Sequence, residues 1–417
     1  MSSHSKLYTS ITLPCGKSLK NRIVKAAMEE NMAGDNQLPD HNLLSLYRYW
    51  AYGGLGMIIT GNVMVDRHAM TGPGGVVLEK DTSTERFEQW AKVIGSGGAL
   101  AIMQINHPGR QVFKAVNKTA VAPSAIPLKL GRYSKQFAAV RAMTCDDIYT
   151  VCQHFVDTAV QAQRAGFDGV QVHAAHGYLL SQFLSPLTNQ RDDQWGGSLL
   201  NRARLLLNIV CQIRARCGRG FAVMVKLNAA DFQRGGLSLE DTKDIVLQLN
   251  KLAVDVIEVS GGNYEAPAMQ GRSNDDQALS KHAYFVEFAS QIAGIAEMPV
   301  MTTGGIRSAE TAQQVLDQGC DLVGLASALA ITPNLALKWQ KNEQVVADAP
   351  HCTWPDKTLA SLVTMAMIRR QLRRLGNDLS TQPKPSQLWS LVLDLRHRKK
   401  MTRRYHEFLK RERQSNT

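Results

Sequence analysis

Three proton-active side chains fall within six residues of the chain: His173, His176 and Tyr178. The run before them, Gly169-Val170-Gln171-Val172, has the alternation of a strand, and Gly177 marks a turn. Two histidines three apart could hold a metal ion on a helix. Here they follow a strand, and no acidic third ligand stands at metal-like spacing. They could also be structural histidines bonded to backbone. The remaining reading is a pair of N–H donors that hold an anion or a carbonyl oxygen gaining charge, with Tyr178 as the proton donor.

Such a cluster needs a frame that brings other strand ends to it. From Asn21 to Leu337 one rhythm repeats: a short β-branched run, then an amphipathic stretch. The runs lie at 22–26, 57–61, 100–104, 169–173, 222–227, 255–259, 299–303 and 322–326. Eight strand–helix units predict an α/β fold of the (β/α)8 TIM barrel type. A doubly wound sheet competes, but the count closes at eight and no GxGxxG follows the first run. In a barrel, chemistry sits at the C-terminal strand ends. Those ends read Met28-Glu29-Glu30, Gly61-Asn62, Gln104 to His107, His173 to Tyr178, Lys226-Leu227-Asn228, Ser260-Gly261-Gly262, Gly304-Gly305 and Ala326-Ser327. Most are polar or glycine, as one converging pocket requires.

Three of these ends have a chemistry of their own. Gly304-Gly305, between a strand and a helix, fits capture of a phosphate by backbone N–H groups; a tight turn alone would also explain it. Lys226 ends a strand inside the barrel and needs a negative partner, either an anionic cofactor or a nearby carboxylate such as Asp231. Gln104 carries both donors and acceptors and suits the edge of a ring, unless it faces solvent.

The totals limit the class. The 417 residues are ample for a buried core, and 44% hydrophobic with 20% charged residues is a globular composition. No apolar run reaches a membrane span, and no apolar segment follows the N-terminus as in a signal peptide, so a cytoplasmic location is expected. Seven dispersed cysteines without a CxxC pair argue against a disulfide framework and against a zinc or iron–sulfur site. The net charge is +12, but the segment from Arg369 to Arg413 holds fourteen Lys/Arg against four Asp/Glu and so accounts for +10 of it. The body is nearly neutral, which weakens a nucleic-acid reading. From about Thr358 the tail reads as basic helices packed on the outside of the barrel, with a solvated charged face. Residues 1–345 are thus read as the barrel and 346–417 as a basic helical extension.

The combined motifs resemble the Old Yellow Enzyme family. They are His173-Ala174-Ala175-His176-Gly177-Tyr178-Leu179, Phe183 to Asn189, Arg191-Asp192-Asp193, Gly196-Gly197-Ser198 and Asn201-Arg202. Asn21-Arg22, Gln104, Ala122-Pro123-Ser124 and Gly304-Gly305 extend the resemblance from about Leu13 to Leu337. The pattern is similar to the NADH:flavin oxidoreductase branch and to the barrel domain of 2,4-dienoyl-CoA reductases.

This resemblance implies a TIM barrel with non-covalent FMN, reduced by NADH or NADPH. Gln104 and Lys226 would contact the pyrimidine end of the flavin. Ala27, Gly61 and Gly261 would line it through backbone, and Gly304, Gly305, Ala326 and Ser327 would surround the phosphate. His173 and His176 would bind a substrate carbonyl oxygen, and Tyr178 would protonate its Cα, in a ping-pong reduction of an activated C=C bond.

Three departures from the family pattern stand out. Glu29 replaces the usual Cys or Thr after the first strand. Ser327 stands where many members carry a phosphate-binding arginine. No cysteine cluster or second dinucleotide domain follows the barrel, so a stand-alone reductase of small molecules is expected; a homo-oligomer is expected separately. Flavin-dependent amine dehydrogenation on the same barrel is one alternative. A barrel docked on an anionic partner by its basic tail is another. Selectivity is expected from Glu29 and from the loops at 106–113 and 263–272.

Overall fold

The computed structural model describes residues 5–268 and 283–415. Eight parallel strands form its centre: β1 (Ile23–Lys25), β2 (Met57–Ile59), β3 (Leu100–Asn106), β4 (Gly169–Ala174), β5 (Ala222–Asn228), β6 (Val256–Ser260), β7 (Val300–Thr303) and β8 (Leu322–Leu325). Each pairs with the next in the chain, β8 pairs with β1, and the sheet closes into a barrel.

The alternation of each strand sorts its side chains. Ile23, Ile58, Met103, Val172, Val225, Ile257 and Val323 point outward and are buried under the helices. Val24, Met57, Ile102, Met224, Val256, Met301 and Leu322 fill the N-terminal half of the interior. Burying such side chains contributes about 1.5–3 kcal/mol each. One strand repeat higher, the inward positions turn polar: Gln104, Gln171, Lys226 and Glu258, then Asn106, His173, Asn228 and Ser260, all buried. The barrel is therefore dry and apolar at one end and polar at the other. A polar layer inside a barrel costs free energy unless its members are paired or meet a ligand.

The surrounding helices begin where the sequence supplies caps. Asp40 accepts from the Leu43 amide at the start of α1 (His41–Ala51), and α2 spans Glu85–Gly95. Thr144 and Asp147 form a capping box on α3 (Cys145–Arg164). The short α4 (Leu179–Leu184) follows β4 and is entered through Tyr178. Ser198 caps α5 (Leu199–Cys217), and Ser238 with Asp241 boxes the start of α6 (Leu239–Asn250). Each such cap stabilises its helix by about 1 kcal/mol. The ring is completed by α7 (Val286–Ala293), α8 (Ala309–Asp317), α9 (Ser327–Ile331) and α10 (Leu335–Gln340). Among the described residues no helix is long and apolar enough to cross a membrane.

The two helices of the tail, α11 (Lys357–Gly376) and α12 (Gln387–Ser415), pack against each other, and α12 lies over the loops that follow β1 and β2. Met401, Tyr405 and Phe408 are buried, the last two against Met64, Met70, Val77 and Val116. The Tyr405 hydroxyl donates to the Arg67 carbonyl at 2.8 Å, His397 Nε2 lies 2.8 Å from the Asn31 carbonyl, and Arg404 meets Asp35 at 2.5 Å. One side of this basic helix is thus a contact face over the loops that follow β1 and β2, while Lys399, Lys400, Arg403 and Lys410 on the other side are exposed. An apolar residue every three or four positions, Met401, Tyr405 and Phe408, drives it there.

Candidate active site

The β4 end turns through an unusual backbone. His176 has φ +59 and Gly177 φ +71, both left-handed. A side chain on Gly177 would come within 2.6 Å of the Asn263 Cβ, so only glycine fits. A left-handed histidine is strained unless its surroundings hold it. Three anchors do so here: the His176 amide donates to Asn228 Oδ1 at 3.0 Å, its carbonyl accepts from Gln111 Nε2 at 3.0 Å, and its Nε2 lies 2.7 Å from Ser260 Oγ.

The turn brings the three sequence candidates together. The His173 ring centroid lies 5.0 Å from that of His176 and 4.9 Å from that of Tyr178, each edge to face. The Ala175 amide donates to His173 Nδ1 at 3.2 Å, which leaves the ring proton on Nε2. Burial, helped by the Lys226 charge beside them, holds both imidazoles well below their ordinary pKa, so both are neutral at pH 7. The Tyr178 hydroxyl lies 3.3 Å from that of Tyr264, and burial pushes its pKa well above the usual phenol value. It keeps its proton and can donate it.

Beneath this rim the polar layer forms one chain of bonds. Gln104 Nε2 donates to Gln171 Oε1 at 2.7 Å, Gln171 Nε2 donates to Glu258 Oε2 at 2.7 Å, and Lys226 Nζ lies 2.8 Å from Glu258 Oε1. The carboxylate partner of Lys226 is therefore Glu258 and not Asp231. The register sets Lys226 directly beside Glu258, whereas Asp231 lies past the strand and accepts from the Leu237 amide at 2.9 Å. Gln171 and Glu258 were not among the sequence candidates, although each is a polar residue at an inward position of an apolar run.

The other candidates sit at the strand ends. Ala27 follows β1 and is half-buried. The Gly61 amide, after β2, donates to Glu30 Oε1 at 3.1 Å and to the Tyr47 hydroxyl at 3.0 Å, so Gly61 shapes the site without a free amide. Behind it Lys25 is wholly buried, its Nζ 2.7 Å from the Ile59 carbonyl and 4.5 Å from the Trp50 ring centroid, and burial draws its pKa down to about 8. Gly261 follows β6 against the Phe232 and Phe285 rings. Gly304 and Gly305, with φ +105 and +74, form a left-handed pair after β7 beside the Tyr284 ring. Ala326 and Ser327 begin α9 after β8. Glu29 accepts from Thr71 Oγ1 at 2.6 Å at the mouth. The loop expected at 263–272 is described only as far as Ala268.

The sequence signature of the NADH:flavin oxidoreductase / NADH oxidase family matches residues 6–345. The chain belongs to that family. It is 35% identical to the NADH-dependent flavin oxidoreductase iliE of Hypocrea jecorina (strain QM6a), over 80% of this chain and 89% of that protein. It is 36% identical to the protein of the same name from Neonectria sp. (strain DH2), over 85% of this chain; there it spans half of the relative's length. In fold it is similar to the Old Yellow Enzyme homologue of Zymomonas mobilis, with a TM-score of 0.70 at 24% identity over 82% of this chain and 94% of that one. FMN and an NADH-type donor go with membership of this Old Yellow Enzyme-like family.

The residues present fit a flavin. The C-terminal half of the barrel is polar where a ring edge needs partners, with Gln104 and Lys226 facing inward. Asn62 Oδ1 and both polar atoms of Asn106 are buried without a partner among the described residues. Buried groups of that kind mark a missing ligand or water. The left-handed Gly304-Gly305 pair, beside the Tyr284 ring, would offer a phosphate backbone amides with no side chain of their own.

Proposed function

We propose that this NADH-dependent flavin oxidoreductase reduces the C=C bond of an α,β-unsaturated carbonyl compound. The observation that carries the reading is the rim itself: two neutral imidazoles and one protonated phenol with ring centroids about 5 Å apart. Neutral N–H donors fixed in a dry site favour an oxygen that gains negative charge during reaction. His173 Nε2 and the His176 ring would hold such an oxygen. Tyr178, whose proton is retained by burial, delivers it to the carbon next to the carbonyl.

Lys226 and Gln104 would hold the pyrimidine end of FMN, and Gly304, Gly305, Ala326 and Ser327 its phosphate. Bound there, FMN would supply the hydride transfer between nicotinamide donor and acceptor. One pocket then serves donor and acceptor in turn, which predicts ping-pong kinetics. With Ser327 in place of an arginine, the phosphate relies on backbone groups.

The test is anaerobic. NADH should bleach the yellow protein, and 2-cyclohexenone added to the bleached enzyme should restore the colour with formation of cyclohexanone. Restoration by quinones or dioxygen, with none by any enone, would defeat the reading.

A further inference from the structure

The C-terminal helices carry Arg369 and Arg398 to the catalytic mouth, with Arg373 beside them. Asp394 of α12 is 2.9 Å from Arg373 Nη1 and 3.2 Å from Arg369 Nη1, so one carboxylate sits between two guanidinium groups. Arg369 Nε and Arg373 Nη2 are buried with no partner among the described residues. Arg398 makes no ion pair within 4 Å among those residues, although Asp394 and Glu29 lie near enough for their charges to act on it; its guanidinium lies 4.7 Å from the centroid of the Phe113 ring. Phe113 stacks on Phe137 at 4.7 Å, and Phe137 packs at 6.3 Å against Tyr264, whose hydroxyl reaches Tyr178. Arg369 and Arg398 are near enough for their charges to act on Tyr264 and on Glu29.

The charges do not balance. Three guanidinium groups share two carboxylates: Asp394 lies near all three, and Glu29 lies near Arg369 and Arg398 only. Taking a cation out of water costs free energy that a partner normally offsets. Orphaned guanidinium donors in a partly buried cluster therefore call for an anion, and the planar fork of arginine matches a carboxylate. The aromatic face of Phe113 holds Arg398 in place without neutralising it.

We propose that Arg369 and Arg398 form an anion subsite at the mouth of the barrel, and that the electron acceptor carries a carboxylate which this subsite takes. The subsite would hold that carboxylate while the reacting carbons lie under Tyr178, so the inference rests on the C=C reading of the site. It would make the C-terminal helices a specificity element, which barrel motifs alone do not indicate. The phosphates of the nicotinamide donor are the other source of an anion in the same pocket, and the experiment separates the two.

Binding to the oxidised, FMN-loaded enzyme is measured by calorimetry with three probes: trans-cinnamate, methyl trans-cinnamate and NAD+. The first two share a shape and differ in charge. Wild type should bind cinnamate about tenfold or more tighter than the ester, as one charge-assisted hydrogen-bonding contact gives. Arg398→Gln should remove most of that ratio, and Arg398→Lys should keep part of it. NAD+ affinity should move less than cinnamate affinity. Equal binding of acid and ester by wild type would overturn the proposal without any variant. So would an unchanged ratio in Arg398→Gln, or an equal loss for NAD+ and cinnamate, which would assign the cluster to the donor. Should Arg398→Gln lose FMN, Arg398→Lys and the wild-type ratio still decide. None of these measurements reads alkene reduction, so the failure of one idea is distinct from the failure of the other.

Discussion

Lys226 Nζ stands 2.8 Å from Glu258 Oε1 inside the barrel, both side chains almost wholly buried. The pair joins neighbouring strands at the same level, and Gln171 extends it to Gln104. A lone buried lysine would attract a reduced, negatively charged flavin strongly. A lysine already facing a carboxylate does so less. The barrel therefore sets its local charge through two residues, one of which the family pattern leaves unmarked.

Glu258→Gln should raise the midpoint potential of the bound flavin. Removing the carboxylate leaves the Lys226 charge free to favour the reduced, more negative state. The expected shift is about 30 mV upward, the two-electron equivalent of about 1.4 kcal/mol. A spectroscopic reductive titration against a reference dye reads it. A potential that stays put or falls would show that Glu258 does not oppose Lys226 at the flavin.

Stability should fall as the pH drops below about 6.5. Burial holds His107 down at about 4, with its Nδ1 accepting from the Gly109 amide, and holds His173 and His176 well below the ordinary value. Unfolded, these rings take up protons near pH 6.5. Between that value and their folded values the unfolded chain binds more protons, so stability rises with pH across the window. It is fully present above about pH 6.5 and is lost as pH falls toward 4, by on the order of 3 kcal/mol for His107 alone. Urea unfolding of the FMN-saturated enzyme at a series of pH values checks this. His107→Gln should flatten the slope, and a flat wild-type profile would refute the assignment.

The barrel was legible because its signal is local and repeated. Runs such as those ending in Gln104 and Lys226 differ from their helices in period, and the strand ends name themselves by polarity. Cap residues such as Thr144 and Ser238 stand directly before their helices. Partner choice was not legible. Asp231 is five residues from Lys226 and Glu258 thirty-two, yet register sets the distant residue beside it, and register is a property of the closed sheet. The role of Glu30 was hidden for the same reason, since Tyr47 and Gly61 meet it only after folding. Arg398 read as part of a basic run because its charge was visible and the buried face of its helix was not.

Gly305→Ala should cost FMN affinity more than it costs the fold. Gly305 has φ +74, and a Cβ there would lie 2.7 Å from Tyr284 Cε1. The left-handed backbone alone costs a non-glycine residue about 1–2 kcal/mol. The loop would shift, and with it the amides proposed to hold the phosphate. Fluorescence titration of the apoprotein with FMN should show a dissociation constant raised by about tenfold or more, the equivalent of about 1.4 kcal/mol. FMN bound as tightly as by wild type would remove this loop from the phosphate site.

Tyr178→Phe should divide the two half-reactions. The ring keeps its edge-to-face packing on His173, so the pocket keeps its shape, but the proton facing the acceptor is gone. Positioned acids typically contribute 10²–10⁴-fold, so alkene reduction should slow by about 100-fold or more. Hydride transfer from NADH needs no proton from Tyr178, and the anaerobic bleaching rate should stay within about threefold of wild type, a change below about 0.7 kcal/mol. Stopped-flow records of bleaching and of enone-driven recolouring give both rates on one preparation. An acceptor that needs no proton, such as a one-electron dye, should recolour the variant at the wild-type rate. If bleaching and recolouring slow together, Tyr178 shapes the pocket for both ligands and the proton comes from elsewhere, with Tyr264, its neighbour at 3.3 Å, the next group to replace.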